Sequence, residues 1–551
     1  MSDIIEQSVC KIDELQIKER KVVRIENVGI VLYRKTETEI IAFGNKCSHY
    51  GAPLINGVIY GDYAICPWHG ACFNINTGDI EEFPGCNNIP TFEIEIRDDD
   101  VYLRAKKEQF IISLPKIPIG RELSNEQTII IIGGGPAGFQ CMDTLRNDLR
   151  FDGRIVLVSQ EDAVPYDRTK LSKNLACKLE NIVLRNEDYY QKAQIELKLK
   201  TKCENIDTEL QMAYLLNDND DTIALHYDKI FIATGSRPRK YPSQVFENNK
   251  NLENVFYLRT YHDANNINDQ IEDKNVILIG SSFIVIEIAC SIIKSAKTIT
   301  ILSRTDVPYA RTLGRQIGQA IKELLISKNI RFCCTGTSEL EFELDSESKR
   351  IIRIKSEGLP ESLDCDVCVI GIGSIPNTDF LKDSPDIQLS DNHCIIVDEK
   401  FQTSVSNVYA GGDVCMYPNR IFDNEMMNIA HWQTAQSHGR QASLAMMNQL
   451  PMDDNNSNGF RSVTFFWSSV FGKGIRFAGI IDDPDNCYID GDLNDLHFAA
   501  YYFRNDRVIG VATIARDPLA SAFGALLRDN KIITKQDIES DPMAWFENNF
   551  S

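Results

Sequence analysis

Two short loops constrain this chain more than any other part of it: CSHYGAPL from Cys47 and CPWHGACF from Cys66. Each supplies one cysteine and one histidine. Cys47 and His49 form a C-x-H pair, Cys66 and His69 a C-x-x-H pair, and sixteen residues separate the two pairs. Two thiolates with two neutral imidazoles suit a Rieske-type 2Fe–2S cluster, Cys47 and Cys66 on one iron and His49 and His69 on the other. Exchanging two thiolates for imidazoles removes negative charge and raises the potential to roughly −150 to +300 mV. A structural zinc site is the competing reading, because Cys2His2 sets also bind zinc. Short zinc fingers, however, group like ligands together, whereas here each loop carries one of each.

At 551 residues the chain exceeds what one core supports, and its length implies three or four domains. No apolar run approaches the roughly 18 residues of a membrane span. The N-terminus, MSDIIEQSVCKIDELQIKER, shows neither an apolar signal core nor an Arg/Ser-rich presequence, which predicts a cytoplasmic protein. The sixteen cysteines then read as thiols and metal ligands rather than a disulfide framework, with Cys72, Cys141, Cys333 and Cys334 as small packing residues. A net charge of −21 argues against nucleic acid and anionic lipid as partners.

The pattern along the chain predicts a multidomain protein. A β-rich Rieske domain over 8–108 is followed by a linker over 109–127. Two Rossmann-like α/β domains follow: an FAD domain in two parts, 128–251 and 377–452, with an NAD(P) insert at 252–376 between them. A C-terminal α+β domain over 455–551 closes the chain. The α/β assignment rests on strands alternating with helical patterns and on two strand–turn–helix signatures.

The first signature, TIIIIGGGPAGFQCMDTL, carries Gly133-x-Gly135-x-x-Gly138 between a buried strand and a helix. That turn lets backbone N–H groups approach a pyrophosphate at a helix N-terminus. The next strand, RIVLVSQED, ends at Gln160 where an acid would hold a ribose hydroxyl, and Glu161 follows. Ala233, Thr234 and Gly235 in FIATGSRP, and Gly412 and Asp413 in VYAGGDV, recur where a two-dinucleotide flavoprotein has them. Asp413 would hydrogen-bond the ribityl chain of FAD.

The second signature, KNVILIGSSFIVIEIACSII, keeps only Gly280; Ser282 and Val285 hold the other two glycine positions. A side chain at the first of these crowds the pyrophosphate and one at the second pushes the helix off the strand, at about 1–3 kcal/mol each. The following strand ends at Ser303-Arg304 without a carboxylate. Arg304 can accommodate a 2′-phosphate, which makes NADPH a candidate donor beside NADH; the alternative is a surface arginine in a decayed pocket.

Taken with PYDRTKLSK, YLRTYHDA, VIGIGSIPNT, VYAGGDV and WSSVFGKGIRFAG, this order of parts resembles the Rieske-containing branch of the apoptosis-inducing factor family. It is more loosely similar to bacterial ferredoxin reductases of oxygenase systems. The resemblance implies that Lys173 lies beside the flavin with Arg168 near the cofactor, and that Glu287 pairs with Lys173 and meets the nicotinamide. It further implies that His431 and Trp432 flank the isoalloxazine, which Trp467 approaches from the C-terminal domain. Lys173 suits a cation beside a reduced, negative flavin, against the plainer reading of a surface lysine. No C-x-x-x-x-C pair occurs between Tyr166 and Lys173, which argues against a dithiol enzyme.

The expected activity is an NAD(P)H-dependent oxidoreductase. Electrons pass from the nucleotide through FAD, as catalysed by Lys173 and Glu287, to the cluster and on to an unidentified acceptor. The alternative is a redox-sensing or pro-apoptotic signalling flavoprotein, supported by the altered second turn. The resemblance implies a mitochondrial location where the N-terminus predicts the cytoplasm. Oligomeric state is not encoded in any motif.

Overall fold

The computed structural model describes residues 4–111, 113–114, 124–249, 252–450 and 460–550. Of the expected linker, 112 and 115–123 lie outside the described residues.

The N-terminal module is all β. One antiparallel sheet orders its strands Ile4–Lys11, Asp100–Lys106, Thr91–Arg97, Ile40–Gly44, Val28–Arg34, Arg20–Ile25. Its first strand thus begins ahead of residue 8. A second antiparallel sheet holds Val58–Tyr60, Tyr63–Ile65, Cys72–Asn74 and Ile80–Glu82. The Cys47 loop leaves strand Ile40–Gly44, and the Cys66 loop joins Tyr63–Ile65 to Cys72–Asn74.

Two parallel sheets follow. The first contains β1 (Thr128–Ile132) flanked by β2 (Arg154–Val158) on one side and Lys229–Ile232 on the other. The chain returns to this sheet at Val408–Ala410. The run Ile129–Ile132 is buried throughout, as a central parallel strand covered on both faces requires. Helix α1 (Pro136–Asp143) follows β1, with Gly135 at its N-cap and Pro136 in its first turn. The second parallel sheet is built around β3 (Asn275–Ile279), which pairs with β4 (Thr298–Ser303) and with Val367–Ile370; helix α2 (Phe283–Ser291) follows β3. A two-stranded antiparallel ribbon, Ser236–Pro238 with Ser374–Pro376, joins the two halves.

Helix α3 (Trp432–Met446) packs on α1: a Cβ on Gly439 would stand 2.2 Å from the Ala137 carbonyl, so glycine sets that approach. The C-terminal domain is a five-stranded antiparallel sheet beginning with β5 (Phe465–Val470), backed by α4 (Leu519–Arg528) and two short helices. The fold is the expected succession of a β domain, two Rossmann-like sheets and an α+β domain. Among the described residues no helix is long and apolar enough to cross a membrane.

Candidate electron-transfer site

The two cysteine loops are turns of one design. Cys47 N–H donates to the Ala52 carbonyl (2.9 Å) and Gly51 N–H to the Cys47 carbonyl (2.9 Å); Cys66 N–H donates to Ala71 (2.8 Å) and Gly70 N–H to Cys66 (3.2 Å). Gly51 and Gly70 share a φ of 74°, a left-handed conformation open to glycine. The C-x-x-x-G-A repeat carrying these turns is visible in the sequence and is an additional signal for the pair. Both cysteines are buried, and hydrogen bonding to Cys66, then burial, pushes the Cys47 thiol well above its ordinary value. The imidazoles of His49 and His69 face each other Nδ1 to Nδ1 at 3.1 Å. Burial holds His49 down at about 4 and His69 well below its usual range, so both are neutral, the form that ligates metal. Two nitrogens bound at about 2.1 Å to one tetrahedral ion stand about 3.4 Å apart, so the two imidazoles are close enough to share one metal. Among the described residues no three His, Cys, Asp or Glu side chains converge as they would on a single ion. The four groups lie as a thiol pair and an imidazole pair, an arrangement that fits two irons, with the thiols on one and the imidazoles on the other.

Beside the imidazole pair opens a cleft of about 1400 Å³ between the parallel sheets and the C-terminal domain. Gly133, Gly135, Gln160, Glu161, Arg168, Lys173, Ala233, Thr234, Gly235, Glu287, Gly412, Asp413, His431, Trp432 and Trp467 all line it. Gly138 does not: its Cβ would stand 1.9 Å from the Gly133 carbonyl, so its role is helix–strand contact. A Cβ on Gly135, in contrast, would meet no protein atom within 4 Å, leaving the backbone bare towards the cleft at the N-terminus of α1. That fits a bound pyrophosphate.

Glu161 is engaged by the Arg168 guanidinium, and Arg168 also donates to the Tyr166 hydroxyl (2.9 Å) and the Arg259 carbonyl (3.1 Å). Gln160 and Glu161 both line the cleft at the end of β2. Asp413 accepts from Ser236 Oγ (3.0 Å) and lies 3.6 Å from the Arg259 guanidinium. The preceding Gly412 N–H donates to His438 Nδ1 (3.1 Å), a fully buried ring held neutral by burial at about 3. His431 lines the cleft with its Nδ1 unpartnered.

At the far side, Lys173 Nζ stands 3.0 Å from both carboxylate oxygens of Glu287 and donates to the Thr169 carbonyl (3.1 Å). Glu287 is 5% exposed on α2 and also accepts from Ser172 Oγ and from Ser468 Oγ (2.6 Å) on β5. One carboxylate thus ties three segments together.

The second turn keeps its shape despite its lost glycines. Gly280 has a φ of 119° against 120° for Gly133, and Ile286 N–H donates to the Ser282 carbonyl (3.1 Å) as Phe139 N–H does to Gly135 (2.9 Å). The expected displacement of the helix by Val285 is corrected here. Val285 is buried against Gly371, whose own Cβ would lie 2.5 Å from Val285 Cγ2, so a glycine on the facing strand end makes the room. Ser282 lines the cleft; Gly280 and Arg304 do not, Gly280 sitting beneath the turn and Arg304 lying exposed beyond the end of β4.

Trp467 spans from the cleft to the imidazole pair. It lines the cleft, and its indole stands 4.5 Å from the His69 ring and 5.7 Å from the His49 ring, centroid to centroid. Tyr50 makes a second link: its ring stacks on His49 at 3.7 Å while its hydroxyl donates to Asp167, which in turn accepts from Thr169 N–H (3.0 Å) at the cleft wall.

The profile of the pyridine nucleotide-disulphide oxidoreductases matches residues 127–439, that of the Rieske [2Fe-2S] domain 6–93, and that of the reductase C-terminal domain 465–544. Apoptosis-inducing factor 3 of Homo sapiens is 34% identical over 98% of this chain and 86% of its own length. The chain belongs to the Rieske-containing apoptosis-inducing factor family of pyridine nucleotide-disulphide oxidoreductases. As a member of that family it is an NAD(P)H-dependent electron-transfer oxidoreductase with FAD and a Rieske 2Fe–2S cluster as cofactors. Putidaredoxin reductase of Pseudomonas putida is 28% identical over 72% of this chain and 90% of its own. The solved covalent putidaredoxin reductase–putidaredoxin complex matches with a TM-score of 0.69 and 25% identity, over 77% of this chain and 98% of that one.

Proposed function

We propose that this oxidoreductase relays electrons within one chain, from a nicotinamide nucleotide through FAD to a cluster held by Cys47, His49, Cys66 and His69, and on to an acceptor outside the chain. The observation that carries the reading is Trp467, one side chain in contact with both the cleft and the cluster histidines. FAD supplies the change from hydride acceptance to single-electron delivery, and the cluster is a one-electron carrier.

The residues supply position and charge. The α1 N-terminus and Gly135 hold the pyrophosphate, Gln160 the adenosine ribose and Asp413 the ribityl chain. Lys173 presents a cation where negative charge develops, and Glu287 fixes it there. Phe465 stands 2.8 Å from where a Cβ of Gly70 would be, and Ser521 Oγ donates to the Cys66 carbonyl (2.9 Å), so the second cluster loop is seated on the C-terminal domain. The relatives named putidaredoxin reductase and ferredoxin–NAD(+) reductase component are named for reducing a separate protein. In this chain the Rieske domain takes that place in cis. The alternative, a redox-sensing or pro-apoptotic signalling flavoprotein, drew on a broken second turn, and that turn keeps its hydrogen bonds.

Anaerobic titration of the purified protein with NADPH or NADH, following flavin absorbance and the Rieske EPR signal together, tests the relay. Bleaching of the flavin followed by growth of the cluster signal is expected. Reduction of both centres by dithionite but by neither nucleotide overturns it.

A further inference from the structure

The two Rossmann halves match in their hydrogen bonds, so each residue of the second seat has a counterpart in the first. Gly133 N–H donates to Val158 O and Gly280 N–H to Leu302 O, both at 2.8 Å. Past those strand ends a serine hydroxyl makes the same turn twice: Glu161 N–H donates to Ser159 Oγ (3.2 Å), and Thr305 N–H to Ser303 Oγ (3.1 Å). Gln160 and Arg304 therefore occupy one position, Glu161 and Thr305 the next. In a dinucleotide seat these positions face the adenosine ribose, where a carboxylate selects the free 2′-hydroxyl and an arginine accommodates a 2′-phosphate.

The second seat has no carboxylate there. Ser303 Oγ is turned to Ser281 Oγ in the nucleotide turn (2.9 Å), and Thr305 Oγ donates to the Val307 carbonyl (2.8 Å). The next acid, Asp306, is paired with Arg315 at 2.6 Å. Arg304 is exposed, and among the described residues no carboxylate pairs with it or with Arg311 seven residues on, whereas Arg315, Arg331, Arg350 and Arg353 of the same domain are paired. In a chain of net charge −21, a guanidinium left unneutralised at the ribose position is available to an anion that the ligand brings.

We propose that Arg304 reads the 2′-phosphate of NADPH and sets this oxidoreductase to take NADPH in preference to NADH. The proposal rests on the second seat being the nicotinamide-nucleotide site. The missing glycines do not oppose it, since Val285 is accommodated by Gly371.

The test uses the full-length holoprotein. Anaerobic flavin reduction is measured with NADPH and with NADH for the wild type, Arg304→Glu and Arg304→Lys, and binding of 2′,5′-ADP is compared with that of 5′-AMP. The wild type is expected to favour NADPH by about tenfold or more in kcat/KM, the scale of hydrogen bonds to a charged group. Arg304→Glu should abolish that advantage and Arg304→Lys should retain part of it. Equal or reversed preference in the wild type, or equal losses for both nucleotides in Arg304→Glu, overturns the proposal. Should neither nucleotide reduce the flavin, the donor reading falls, and the fragments still decide the seat. Tighter binding of 2′,5′-ADP than of 5′-AMP, lost in Arg304→Glu, upholds it; indifference to the 2′-phosphate overturns it.

Discussion

The indole of Trp467 stands 4.5 Å from the imidazole of His69 while lining the cleft on its other side. The two residues belong to the last and first domains of the chain, so the flavin cleft meets the cluster only when both domains are in place. Trp467→Leu should leave flavin reduction by the nucleotide near its wild-type rate and slow the later growth of the cluster EPR signal, whereas Trp467→Phe should retain more of it. Stopped-flow absorbance with freeze-quench EPR separates the two phases. An unchanged second phase in Trp467→Leu would show that electrons take another route, the Tyr50 contact being the alternative.

His69→Cys should lower the cluster potential towards the range of all-cysteine ferredoxins, a fall on the order of 100 mV or more. The cause is the added thiolate charge, and an EPR-monitored redox titration reads it. An unchanged potential removes His69 from the ligand set.

Lys173 and Glu287 form a largely buried pair, and losing one partner leaves a charge short of compensation. Lys173→Met should destabilise the protein by about 3 kcal/mol, the low end for breaking a buried pair, since Lys173 is partly exposed and two hydroxyls still serve Glu287. The double variant Lys173→Met, Glu287→Gln should lose less than the sum of the singles. Denaturation of the holoprotein measures both, and additive losses would mean that the pair is not coupled.

How much of this was legible in the sequence depends on the range of each interaction. The two cysteine–histidine loops and the first glycine turn were readable because the chemistry fixes such spacing within a few residues, as with Cys47 and His49 or Gly133 and Gly135. Glu161 was legible as the acid just past the strand end, but not its pairing with Arg168, which depends on how a loop folds back. The accommodation of Val285 by Gly371 joins residues from two strand ends, and nothing near Val285 announces it. The Ser468–Glu287 bond spans 181 positions and the Tyr50–Asp167 bond 117, contacts only the packed domains create. Arg304 was legible as a residue type, while its equivalence to Gln160 emerged from the matching strand-end turns.

His438 gives the fold a pH dependence. Burial depresses its folded value to about 3, against an ordinary 6.5, so the unfolded chain takes up the proton first and stability falls as pH drops below 6.5. By pH 5 this one group should withdraw about 2 kcal/mol relative to neutral pH. In the folded protein the ring stays neutral over this interval and keeps accepting from Gly412 N–H beside Asp413, so flavin retention should track global stability and not the loss of this hydrogen bond. His438→Gln should flatten the contribution. Stability and flavin fluorescence measured at pH 7 and pH 5 for both proteins check it, and an identical pH response in the variant would assign the effect elsewhere.

Val285 reverses what the glycine fingerprint alone suggests. Restoring glycine at a degenerate nucleotide turn should tighten binding if the side chain crowds the ligand. Here the side chain borders the cleft but is 1% exposed and packed against Gly371, and the turn already has the geometry of the first half, so Val285→Gly removes more packing than it opens of the seat. The expected result is a loss of about 3 kcal/mol in stability, from the cavity and from glycine within a helix, with nucleotide affinity little changed. Gly371→Ala should also destabilise, since its Cβ would stand 2.5 Å from Val285 Cγ2. Combined with Val285→Gly it should be tolerated, because the added methyl enters the space the valine left; this non-additivity marks a direct contact. Thermal melts of the three variants and nucleotide titrations decide it. Tighter nucleotide binding by Val285→Gly at undiminished stability would show instead that the valine crowds the second seat.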